Sequence, residues 1–386
     1  MTGRQDLQGL VAARVAEGAV PGAVALIARD GRAEVAVAGS ADLAGRRPMA
    51  RDSIFRIASL TKPVVAAAVL TLVADGTVAL DAPVDKWLPE LAEPMVVRTP
   101  QSALDDVVPA HRGITVHDLL TSRAGYGFGP DFTLPAVGAL VGELRQGPPQ
   151  PQLVPAPDAW TAALARIPLL HQPGEAWLYN TCSDLQGVLV ARASGRTLPE
   201  FLAERLFGPL GMADTAFHVP AAKRDRFTDL FRPGPGGDLE LVDGPDGQWS
   251  APPAFPSGAG GLVSTVDDCA AFARMLLGAG VFEGHRLLPA DLVRLMTTDH
   301  LTALQRAAAT PFLDGQGWGF GGSVDVAPVN SWNAPGRYGW VGGTGTAAHI
   351  TPSTGTVTVL LTQRELTGAT EFPTLTREFW KYASGA

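Results

Sequence analysis

Ser59 and Lys62 stand one helical turn apart in the run Phe55-Arg56-Ile57-Ala58-Ser59-Leu60-Thr61-Lys62. Residues three apart share a helix face, so the lysine amine can reach the serine hydroxyl. That arrangement suits drawing a proton from a serine nucleophile. Lysine is itself rare in this chain: of 30 lysines and arginines, only Lys62, Lys86, Lys223 and Lys381 are lysines. Arginine stays charged at any ordinary pH, whereas a buried lysine can give up its proton and act as a base. On spacing alone the pair also fits a surface lysine beside an incidental serine. The apolar run over residues 63–73 favours a buried, functional lysine.

Other chemistries find little footing. The seven histidines, His111, His117, His171, His218, His285, His300 and His349, are scattered, and no H-E-x-x-H or C-x-x-C pattern occurs. No metal is therefore expected, and no cofactor is implied. There is no G-x-S-x-G nucleophile elbow and no phosphate loop. Cys182 and Cys269 are too few for a disulfide framework or a metal cluster and read as small buried apolar residues. The net charge of −8, without a Lys/Arg-rich run, argues against nucleic acid or an anionic membrane as partner. Residues 1–22 mix charges with alanine and do not resemble a signal peptide. No apolar run is long enough to span a membrane. The expected location is the cytoplasm, and the oligomeric state is not legible.

The elements that must position Ser59 come from both chain ends. With 386 residues, 46% of them hydrophobic and 18% charged, the chain can bury a large core and hold two subdomains. Residues 4–18 have helical spacing, ended by Pro21-Gly22. A strand over 24–28, a turn at Arg29-Asp30-Gly31-Arg32 and a strand over 33–38 form a hairpin. Residues 356–362 are strongly β and 372–382 helical. Between them, helical patterns occur at 63–74, 116–121, 159–166, 184–193, 198–206, 266–277 and 289–296. The layout predicts an α/β (α+β) fold. An antiparallel sheet from residues 1–60 and 315–386, flanked by terminal helices, would carry a mainly helical domain over 61–314. The stretch 126–157 is rich in proline and glycine and is expected to be a partly ordered loop walling the binding pocket, with a plain surface excursion as the other reading.

Several segments share an order with a known superfamily. Ser-x-x-Lys opening a helix resembles the serine β-lactamases and penicillin-binding proteins. Pro173-Gly174-Glu175-Ala176-Trp177-Leu178-Tyr179-Asn180 resembles the approach to the second motif of that superfamily. The runs 206–215 and 260–268 look like its later segments, and Tyr338-Gly339-Trp340-Val341-Gly342-Gly343-Thr344-Gly345 occupies the place of its third motif. The resemblance covers residues 8 to 380 and looks closest to the class C-like branch, within it to family VIII carboxylesterases. It implies a β-lactamase-like fold.

The resemblance assigns Ser59 as nucleophile, Lys62 as base and Tyr179 as proton shuttle. It puts the oxyanion hole at the backbone amides of Ser59 and Gly343. From the residues alone, Ser59 also fits a helix cap and Tyr179 a core aromatic. An ordinary phenol titrates near 10, so Tyr179 would need Lys62 beside it. The third motif departs from Lys-Thr-Gly: Trp340-Val341-Gly342 has neither the cation nor the threonine hydroxyl that a β-lactam carboxylate would meet. In the second motif Thr181 stands where asparagine is usual, with Asn180 one residue early. Both departures point to small or short-chain esters. Tyr126, Phe128, Thr181, Trp340, Gly342, Thr344 and His349 are the candidate substrate-binding residues. The reading is a serine carboxylesterase; a β-lactamase, D-amino-acid peptidase or amidase, an acyltransferase, or an idle binding protein of the same fold are the rivals.

Overall fold

The computed structural model describes residues 6–385. The elements that bear on the site run in chain order from α1 (Leu7–Ala16) through β1 (Gly22–Arg29) and β2 (Arg32–Gly39) to α2 (Thr61–Ala74). Then come α3 (Pro135–Leu144), α4 (Thr181–Ser194) and α5 (Val266–Leu277). The chain returns through β3 (Gly317–Trp318), β4 (Ser323–Val324), β5 (Tyr338–Gly342), β6 (Thr346–Thr351) and β7 (Thr356–Thr362) to α6 (Thr374–Ser384).

One antiparallel sheet has the order β3-β4-β5-β6-β7-β1-β2. The two chain ends meet where β1 pairs with β7, Ala25 opposite Leu360. Asp30 and Gly31, at φ 51° and 73°, form the two-residue reversal from β1 to β2. Side chains alternate across a strand, so β1 feeds two cores. Ala23, Ala25 and Ile27 pack with Leu7, Leu375 and Phe379 beneath α1 and α6. Val24 and Leu26 face the main core with Val359 and Leu361.

On that second face lies the helical body. The sequence of α2, Thr-Lys-Pro-Val-Val-Ala-Ala-Ala-Val-Leu-Thr-Leu-Val-Ala, has no polar face, and twelve of its residues are buried. A helix apolar all round belongs in a core, and α2 packs against α4. The segment leading into it pairs in a two-residue ladder, Phe55–Arg56 against Val263–Ser264.

Several expectations needed adjustment. The helix expected over 4–18 is α1, and residues 4 and 5 lie outside the described residues. The helix expected over 198–206 is α-helical only to Leu202 and then widens into a π turn over Ala203–Phe207. The stretch 126–157 is not all loop: α3 occupies its middle, started by Pro135 in its first turn. Proline is well placed there because its missing N–H has no intrahelical partner. The region 61–314 also holds short hairpins, Met95–Val97 with Val107–Pro109 and Leu230–Pro233 with Leu239–Asp243. Among the described residues no helix is long and apolar enough to cross a membrane. Cys182 and Cys269 are buried and unpaired, and burial raises both thiols to about 12.

Candidate active site

Ser59 sits in a 3₁₀ turn, Ala58–Leu60, directly before α2. Ala58 is held at φ +43°, a left-handed conformation that costs a non-glycine residue roughly 1–3 kcal/mol. The Thr61 hydroxyl donates to the Ala58 carbonyl at 2.7 Å and receives the Leu262 N–H at 3.1 Å, which pins the turn. One helical turn on, Lys62 is 1% exposed. Its Nζ donates to Ser59 Oγ at 3.1 Å, Asn180 Oδ1 at 2.9 Å and the Ala259 carbonyl at 2.7 Å. Every acceptor in that set is neutral.

Tyr179 arrives on a second strained segment. Its N–H and carbonyl are both bonded to Phe128, at 2.8 and 2.9 Å. Asn180 then turns at φ 86°, ψ −67°, close to the rare γ-turn geometry. The turn aims the Tyr179 phenol at Ser59 Oγ, 2.8 Å away, and the Asn180 amide at Lys62. Lys62 Nζ also lies 4.5 Å from the centre of the Tyr179 ring. The indole N–H of Trp340, from β5, donates to the phenol oxygen at 2.9 Å. Ser59 Oγ thus stands between an amine and a phenol, and the phenol has a donor of its own.

The end of β5 is stapled to the Ser59 turn. Thr344 Oγ1 donates to the Arg56 carbonyl at 2.5 Å, and Thr346 Oγ1 to the Ile57 carbonyl at 3.1 Å. Gly342 comes so near that a Cβ would meet the Ile57 carbonyl oxygen at 2.4 Å. The next amide, Gly343 N–H, has no acceptor among the described residues, and neither has Ser59 N–H. Both residues line the same cavity, and a Cβ at Gly343 would meet nothing within 4 Å. Two free amides beside a serine hydroxyl are the kind of donor pair that a developing oxyanion requires.

The cavity above Ser59 has a volume of about 380 Å³. Phe128, Trp340 and Thr344 reach its wall, as does much of the proline-rich stretch, including Phe132, Leu144 and Val154. Four of the expected binding residues stand elsewhere. Tyr126 is buried in the main core, and burial raises its phenol well above the ordinary value. Thr181 is buried, with its hydroxyl bonded to Gln146 Oε1 at 2.6 Å. Gly342 packs against the Ser59 turn, as above. His349 lies on the opposite face of the sheet against Trp380 of α6, its neutral form favoured by burial and the nearby Arg337. Strand parity explains His349: it faces the same way as Ala347, into the α1/α6 core.

Other wall residues escaped the sequence reading. Trp160, Phe255 and Phe312 come from three distant segments, and their spacing carries no common signal. The lysine partner in the second motif is Asn180, the residue standing one place early, where Thr181 was expected to act.

Residues 7–378 match the beta-lactamase family. Esterase EstB of Burkholderia gladioli is 34% identical over 316 residues, covering 78% of this chain and 74% of EstB. Lovastatin esterase of Penicillium rubens is 31% identical over 320 residues, covering 77% and 76%. Among solved structures, EstCE1, described as a hydrolase with promiscuous acyltransferase activity, superposes with a TM-score of 0.79 over 97% of both chains at 23% identity, a likeness of fold. The chain belongs to the beta-lactamase family and has its mixed α/β fold with an antiparallel sheet.

Proposed function

We propose that this chain is a serine carboxylesterase that cleaves small esters through an acyl-enzyme on Ser59, in the manner of family VIII carboxylesterases. The observation that carries the reading is the position of Ser59 Oγ, within hydrogen-bond reach of both Lys62 Nζ and the Tyr179 phenol at the floor of a largely apolar cavity. Two relatives, EstB and lovastatin esterase, 34% and 31% identical to this chain over the aligned regions, bear the name esterase, which supports the same chemistry.

In this mechanism Lys62, once it has released one proton, accepts the Ser59 proton across their 3.1 Å contact. Oγ attacks the ester carbonyl, and the oxyanion settles between the Ser59 and Gly343 amides. Tyr179 hands a proton to the departing alcohol, and Lys62 replenishes it. Water then attacks the acyl group along the same path in reverse. Trp340 takes the place where a β-lactamase has its lysine, and its N–H is already engaged by Tyr179. A substrate carboxylate finds no cation there, so a neutral ester is the better fit.

A panel of chromogenic esters, with a chromogenic β-lactam alongside, tests the reading on wild type and Ser59→Ala. Ester turnover lost in Ser59→Ala, with slight β-lactam cleavage, is the expected outcome. Faster β-lactam or amide turnover would put the rival hydrolases first. Acyl transfer is the second reading, favoured by the apolar cavity walls, which let an alcohol compete with water for the acyl group. Product analysis with an added alcohol separates the two.

A further inference from the structure

Asp184 stands in the first turn of α4, five residues past Tyr179, and is 5% exposed. The mechanism above leaves it unused. Its Oδ1 accepts the Ser257 hydroxyl at 2.6 Å and the Ala259 N–H at 3.0 Å. The Ser257 oxygen in turn accepts the amides of Ala259 and Gly260, each at 3.2 Å. The Gly261 N–H closes the turn on the Ser257 carbonyl at 3.0 Å. Gly258 is pressed so hard against α4 that a Cβ there would meet the Ser183 carbonyl oxygen at 2.2 Å. What the turn presents is the Ala259 carbonyl, the nearest of the three acceptors around Lys62 Nζ.

The carboxylate and the amine are therefore joined through a single residue, Ala259, whose N–H meets the one and whose carbonyl meets the other. Burial holds the Asp184 carboxyl above its ordinary value, and the hydrogen bonds from Ser257 and Ala259 and the Lys62 charge offset only part of that rise. The other ionisable groups around Lys62 are few. Tyr179 faces it directly. Arg145 and Glu365 line the outer cavity, and Glu365 is tied to Arg232 at 2.7 Å.

We propose that Asp184 is a positioning residue for the ester reaction: it fixes the Ala259 carbonyl against Lys62 and stabilises the ammonium that forms when Lys62 takes the Ser59 proton. The inference rests on the reading of Lys62 as base. In the step itself the proton passes from Ser59 Oγ to Lys62 Nζ as the Oγ–C bond forms and the carbonyl π pair moves to oxygen. Asp184 makes and breaks no covalent bond. The logic parallels a serine-protease aspartate, which orients the base and stabilises its cation without taking the proton.

Asp184→Asn is the informative change, because the amide keeps an oxygen for Ser257 and Ala259 while the charge is removed. The expected result is a kcat lower by about tenfold with KM little changed, together with an acid limb of kcat/KM displaced by about one pH unit towards lower pH. The limb moves down because a neutral neighbour holds the Lys62 proton less tightly. An activity loss with the acid limb in its wild-type place would overturn the proposal and leave Asp184 a structural residue.

Should Asp184→Asn fail to fold, Ser257→Ala probes the same carboxylate. Losing one donor makes Asp184 harder to ionise, so the limb moves in the same direction by a smaller step. A direct readout is at hand because the chain has four lysines. In lysine-¹³Cε-labelled enzyme, the Lys62 resonance is the one lost in Lys62→Arg. Its titration midpoint falls in Asp184→Asn or in Ser257→Ala if the proposal holds, and an unmoved midpoint refutes it. Wild-type turnover by Lys62→Arg would instead refute the base assignment. An inactive Lys62→Arg beside an unshifted Asp184→Asn would refute only the role of Asp184.

Discussion

Arg56 and Lys62 are both cations buried almost completely, six residues apart on the same segment, and they are treated in opposite ways. Arg56 is paired directly with a carboxylate. Its Nε donates to Asp243 Oδ2 at 2.9 Å and Nη2 reaches the same oxygen, while the Thr228 and Gly244 carbonyls take further donors at 2.6 and 3.0 Å. The guanidinium also lies 3.9 Å from the centre of the Phe227 ring. Burial lowers Arg56 to about 10 and Asp243 works against that fall, so the charge is permanent at working pH. Lys62 has three neutral acceptors and is linked to the Asp184 carboxylate only through the backbone of Ala259. A fixed charge holds the scaffold beneath Ser59, while an amine without a direct counter-ion is able to exchange a proton. On the proposed mechanism, the arginine stands where charge must stay and the lysine where it must move.

The contrast breaks most visibly at the nucleophile. Ser59→Ala should reduce ester turnover by more than about a thousandfold, as loss of a covalent nucleophile does, with an unchanged unfolding midpoint. Substantial remaining turnover would mean that the two cations do not serve Ser59. Lys62→Arg keeps the charge and forbids its exchange. A loss of on the order of a hundredfold or more in kcat is expected, measured with a soluble ester at saturating concentration. A variant as fast as wild type would make Lys62 an ordinary buried cation like Arg56.

Tyr179→Phe is expected to cost on the order of a hundredfold in kcat for the same reason, and full kcat would show that the third member is misassigned. Arg56→Lys reverses the pattern. Activity per folded molecule stays within a few-fold, while loss of the second and third donors costs about 1–3 kcal/mol in a urea unfolding curve. An inactive but fully stable Arg56→Lys would erase the distinction between scaffold and site. The smallest effect belongs to Trp340→Phe. Removing one neutral donor from the phenol is worth about 0.5–1.5 kcal/mol, a kcat change of roughly two- to tenfold.

Much of this was legible in the sequence, for reasons that differ by residue. The terminal strands and helices announced themselves by period and turn chemistry, as at Asp30-Gly31. The arrangement Ser59-x-x-Lys62 is local, so spacing alone put both groups on one side of a turn. Tyr179 needed the resemblance, because nothing in its neighbours separates it from a core aromatic. Asn180 was read as out of place, yet its backbone at φ 86° swings the amide onto Lys62, and a torsion of that kind leaves little trace in sequence. His349 failed on strand parity, which depends on which face of β6 the core claims. Helix α3 was hidden inside a proline-rich stretch because Pro135 opens the helix and does not interrupt it. Trp160, Phe255 and Phe312 meet only through tertiary packing.

The central claim is that the acyl group resides on Ser59. Acid-quenched enzyme, trapped within milliseconds of mixing with an activated ester and digested, can be read by peptide mass spectrometry. The account predicts the acyl mass on the peptide containing Ser59, absent from Ser59→Ala and accumulating in Tyr179→Phe if deacylation is the slower step there. An acyl group on another side chain such as Ser257, or full turnover by Ser59→Ala, would contradict it.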